Sequence, residues 1–101
     1  MRGSHFLLAF FIQLISISLY SQIIDFDKIK YLHINKNYSY LNSYLESIDQ
    51  KKISYNQVEE INFFKAVCSF ELFNSDARFQ LLNYQKLYPE GIFLNQVLLM
   101  L

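Results

Sequence analysis

Tryptophan is absent, and the 101 residues include one cysteine, one proline and two glycines. The single cysteine, Cys68, excludes an internal disulfide. Its neighbours Val67 and Phe70 are apolar, which reads as a small buried core residue. A reactive thiol needs a cation or a helix N-terminus close by, and only Lys65, one turn away, is offered. Two glycines and one proline are too few for an all-β fold, which needs turn residues every ~8–12 positions. An excess of charge of one sign is also missing, since nine Lys and Arg balance nine Asp and Glu. With no basic stripe to track a phosphate backbone, nucleic acid is not an expected partner.

Chemistry is sparse as well. His5 and His33 are the only histidines, so no His–Cys zinc cluster exists. There is no glycine-rich phosphate loop. Adjacent helical residues point in different directions, so Glu59-Glu60 reads as a solvated face. Asp25-x-Asp27 precedes a helix and reads as capping. The expectation is a protein that is not an enzyme, with no catalytic residue, no metal and no cofactor.

What is present begins with an address. Met1 to His5 is short and positive, Phe6 to Tyr20 is almost wholly apolar, and the first acid is Asp25. This is the order of a secretory signal peptide, residues 1–21, with cleavage between Ser21 and Gln22 and Leu19 at the −3 position. Cleavage after Ser18, with Ser16 at −3, is the alternative. No cysteine lies near the cut, which excludes lipid attachment there. The run from Phe6 to Ile24 also approaches the ~20 residues that span a bilayer. An uncleaved inner-membrane anchor is therefore the second reading.

The remainder, 22–101, reads as all-α. Asp25 or Asp27 caps a helix to about Ile34, with Phe26, Ile29 and Leu32 on one face. Asn35-Lys36-Asn37 is a turn. A second helix spans about Tyr38 to Asp49, with Tyr38, Leu41, Leu45 and Ile48 in one stripe and Gln50-Lys51-Lys52 closing it. Tyr40 and Tyr44 form a second stripe that either lines a groove or packs against the first hairpin. A third helix opens on the capping box Ser54/Gln57, or on Asn56/Glu59, and runs to about Phe73 as the most buried element. Ser75 or Asp76 caps a fourth, which Pro89 stops. Ile92 to Leu101 begin a fifth, so apolar that it calls for a neighbour. The expectation is that the chain continues beyond Leu101 or self-associates through 92–101.

A repeat emerges from these helices. Ala77, Leu81, Tyr84 and Pro89 follow A-x3-L-x2-Y-x4-P, and Tyr38, Leu41, Leu45 and Ile48 have matching offsets. Leu41 and Ala77 lie 36 residues apart, against ~34 for the tetratricopeptide repeat. The segment from Glu60 to Leu101 resembles exported tetratricopeptide-repeat proteins of the bacterial envelope, such as the Tol-Pal cell-division coordinator and the outer-membrane assembly lipoprotein. Asp76-Ala77, Leu82, Tyr88-Pro89 and Gly91 carry the resemblance, together with Phe63-Phe64, Ala66 and Phe70-Glu71-Leu72. Leu41 and Leu45 depart from the family's Ala and Phe, so the first hairpin resembles a degenerate capping repeat.

The resemblance implies a short solenoid with hairpins at 25–50 and 54–89 and the start of another repeat at 92–101. It also implies a non-enzymatic scaffold in the periplasm or at the outer membrane, binding a protein or peptide partner. The membrane would be touched only through the signal or anchor segment. The sequence assigns no residue to the partner. Intact-mass analysis of exported material is expected to show Gln22 as the first residue, and retention of Met1 would overturn the signal reading.

Overall fold

A computed structural model describes residues 23–101. The signal-peptide region, with the Ser21–Gln22 cleavage position, lies outside the described residues. Those described form five α-helices and one short 3₁₀ turn, with no strand among them. Helix α1 is Phe26–Ile34, and its cap is Asp25, whose carboxylate accepts the Lys28 N–H at 3.0 Å. This satisfies one of the donors that a helix start leaves open.

The turn after α1 is a Schellman closure. The Asn37 N–H donates to the Leu32 carbonyl at 2.9 Å and the Lys36 N–H to His33 at 3.1 Å. It places Lys36 at φ 58°, a conformation for which glycine is the unstrained choice.

Helix α2, Tyr38–Glu46, is shorter than the stripe implies. Ser47 turns its hydroxyl back onto the Tyr44 carbonyl, and the Asp49 carboxylate caps a separate 3₁₀ turn, Gln50–Lys52, by accepting the Lys51 N–H at 3.0 Å. Lys51 and Lys52 therefore end that turn and do not close α2. Ile48 lies beyond the helix yet remains buried. Local hydrogen bonding by Ser and Asp has ended the helix before the apolar period runs out.

Helix α3, Tyr55–Glu71, is the longest and contributes seven buried residues, more than any other helix. Its capping box is Ser54 and Gln57, with the Ser54 N–H donating to Gln57 Oε1 at 3.2 Å. It closes as α1 does: Asn74 N–H to Ser69 carbonyl at 2.9 Å, Phe73 N–H to Phe70 carbonyl at 3.2 Å, and Phe73 at φ 56°. Helix α4 is Ala77–Leu87, capped by Asp76. The Asp76 carboxylate takes the Gln80 amide at 2.6 Å rather than a backbone N–H. Tyr88 leaves the α region before Pro89, as the proline ring requires. Helix α5 starts at Leu94, two residues later than the apolar run, and ends at Met100.

Each helix packs chiefly on its neighbours in sequence: α1 on α2, α2 on α3, α3 on α4, α4 on α5. One core threads all of them, with Ile29, Leu41, Leu45, Ile61, Leu81 and Val97 fully enclosed. Each such side chain contributes ~1.5–3 kcal/mol by leaving water.

Gly91 is set by close approach. A Cβ at that position would lie 2.5 Å from the Tyr84 hydroxyl and 2.8 Å from the Tyr88 Cβ. Gly91→Ala is therefore expected to destabilise the chain by about 1–3 kcal/mol. In a Tyr84→Phe background the penalty should shrink, because the nearest obstructing atom is gone. Equal penalties in both backgrounds, measured by urea unfolding, would show that the hydroxyl is not what Gly91 accommodates.

Candidate functional site

Two grooves and one latch account for the side chains with functional potential. The latch holds α5. The Tyr84 hydroxyl accepts the Phe93 N–H at 3.2 Å, and the Phe93 ring stacks on Phe63 with centroids 4.1 Å apart and planes 7° from parallel. Tyr88 leans on Tyr84 at 4.9 Å and is met edge-on by Tyr55 at 6.0 Å. Burial pushes the Tyr84 hydroxyl above the ordinary tyrosine range, against the opposing pull of the Phe93 N–H.

The first groove is polar and lies where α2, α3 and α4 meet. It has a volume of about 220 Å³ and is lined by Glu46, Asn62, Lys65, Gln80 and Asn83. Two of these amides are held in place. Gln50 Nε2 donates to Asn62 Oδ1 at 2.9 Å, and Asn62 Nδ2 reaches the Tyr88 hydroxyl at 3.4 Å. Gln80 Nε2 donates to Ser69 Oγ at 3.0 Å as well as to Asp76, and its Oε1 has no donor among the described residues. The Asn83 amide has no protein partner among the described residues. Lys65 is only loosely tied to Glu46, at 3.9 Å. A partly exposed pair at this distance contributes ~0–1 kcal/mol and is easily exchanged for another partner.

The second groove is apolar and has a volume of about 440 Å³. Phe70, Phe73, Ala77, Leu81, Met100 and Leu101 form its walls, with Glu71 and Arg78 at the rim.

The residues singled out in the sequence fall as follows. Leu41 and Leu45 are buried in α2, Ile48 just after it, and Leu81 and Tyr84 in α4. Tyr38 is half-buried, with its ring edge-on to His33 at 6.2 Å. Ala77 is half-buried at the start of α4, and Pro89 is exposed behind it. The Tyr40 and Tyr44 stripe packs on α1. Lys28 Nζ stands 5.3 Å from the Tyr40 ring centre and 4.6 Å from that of Tyr44, and the Tyr44 hydroxyl accepts the Asp25 N–H at 3.0 Å. The polar groove was missed. Its only sequence signal is the pair of i, i+3 spacings, Asn62/Lys65 and Gln80/Asn83, which puts each pair on one helix face.

No family model, curated protein or solved structure matches this chain. Among the described residues no group of three His, Cys, Asp or Glu side chains is placed to hold a metal, and no helix is long and apolar enough to cross a membrane.

Cys68 is fully enclosed, and burial raises its thiol from an ordinary 9.0 to about 12. A thiol with a raised pKa favours the folded state only while it stays protonated. Its contribution is therefore complete below pH ~9 and is lost as pH rises from there towards about 12. The folded chain is expected to resist a thiol reagent at pH 8 and to react at once when unfolded in urea. Rapid labelling of the folded chain would contradict an enclosed thiol.

Proposed function

We propose that this chain is a non-enzymatic protein–protein interaction scaffold of the bacterial envelope, built as a short tetratricopeptide-like array of helix pairs. Two features support the array. Principal contacts join sequence neighbours, as in a stacked solenoid. The odd-numbered elements are also joined by rings: His33 of α1 meets Phe64 of α3 at 5.4 Å, and Phe64 lies 6.3 Å from Phe93 at the head of α5. That line of rings ties successive pairs together on one side.

The observation that carries the function is the polar groove. Asn62, Gln80 and Asn83 are side-chain amides, and an amide presents a donor and an acceptor as a peptide bond does. Two are held by networks that leave bonding capacity unused, and Lys65 adds a lightly committed cation. Fixed, unsaturated amides beside a cation suit an extended peptide carrying an acidic side chain. Export rests on the apolar N-terminal run, and the same run supports the second reading, an accessory protein tethered through an uncleaved anchor.

Photocrosslinking from position 83 in a bacterium exporting the chain is expected to give a defined adduct with one envelope protein. Lys65→Glu should lower its yield at least about tenfold, ~1.4 kcal/mol. Absence of an adduct from position 83, with adducts from other faces, would overturn the groove as the binding site. Release of the chain by alkaline carbonate favours the scaffold over the tether.

A further inference from the structure

We propose that the apolar groove at the α5 end is the interface of a two-fold dimer of this chain. The inference goes beyond the scaffold reading and rests on different residues. Phe73 is its starting point. It occupies a left-handed position that glycine fills without strain, and its side chain is 94% exposed. A large aromatic held there against backbone preference, in the wall of the apolar groove, is a strained and exposed anchor. Beside it, Leu99 is 88% exposed on the side of α5 away from buried Val97. Leu98, one helical turn before Leu101, continues the apolar surface into the groove wall.

The occupant is a second copy for three reasons. First, the patch carries both halves of a self-complementary contact: a groove of about 440 Å³, walled in part by Phe73, and the projecting Leu98 and Leu99 next to it. A two-fold axis sets the projections of each copy into the groove of the other. Second, the charges agree. Residues 91–101 contain no charged side chain, so the patch does not repel itself. The groove rim carries one acid, Glu71, and one base, Arg78, with no ion pair for either among the described residues. A two-fold contact sets each Arg78 against Glu71 of the other copy. Third, the area suffices. Phe70, Phe73, Leu98, Leu99 and Leu101 together expose on the order of 500 Å² of apolar surface, at the upper end of what a monomer leaves open. A standard interface of ~800 Å² per partner adds a polar rim to such a patch.

Sedimentation equilibrium of the purified chain is expected to show a dimer at about 100 μM. Phe73→Gly keeps the helix-ending turn and relieves its strain, so it should weaken dimerisation at least about tenfold without lowering the melting temperature extrapolated to the monomer. Leu99→Glu should do the same. Arg78→Glu should weaken the dimer, and Arg78→Glu combined with Glu71→Arg should restore it. A monomer at that concentration overturns the proposal. So does association that survives both Phe73→Gly and Leu99→Glu, which would locate the contact elsewhere in the chain.

Discussion

The close approach of Tyr84 to the turn after α4 is the constraint on which the later half of the structure depends. Its ring is buried in α4, its hydroxyl accepts the Phe93 N–H, and Gly91 passes where a Cβ would collide with it. With the turn held in this way, Phe93 lies flat on Phe63 and Val97 is carried into the core. The Tyr84 hydroxyl thus gives α5, a helix of seven residues, a fixed position. A helix so short is not stable alone. Pro89 assists by ending α4 where Tyr84 can still reach forward over the turn.

Scarcity of glycine shapes the C-terminal ends of α1 and α3. Both α1 and α3 end in the same Schellman closure, and both place a side chain where glycine would be strain-free. At Lys36 the side chain simply extends into water. At Phe73 the same geometry projects an aromatic ring outward beside the apolar groove. The two closures are alike in hydrogen bonding and differ in the side chain they present.

Much of the fold was legible because it follows from periodicity and capping, which are local. The stripes through Leu41, Leu45, Leu81 and Tyr84 point inward, and Ser54 with Gln57 opens α3, as their spacing requires. The end of α2 was not legible. The apolar period continues through Ile48, while Ser47 and Asp49 form hydrogen bonds that a periodicity count does not register. The Lys28 ammonium over Tyr40 and Tyr44 was equally hidden, because it depends on how α1 crosses α2. The polar groove draws residues from three helices. Asn62, Gln80 and Asn83 each look like ordinary surface positions until packing brings them to one place.

The two grooves share no lining residue, and this bears on how they work together. Ser69 and Asp76, which line neither groove, fix Gln80 of the polar one by hydrogen bonds. In the proposed dimer the contact residues are not those that line the polar groove. If the polar groove takes a peptide as proposed, such a dimer would hold two sites at a fixed separation. Two such sites on one rigid pair raise the effective concentration of a repeated or dimeric partner without any new contact to the peptide.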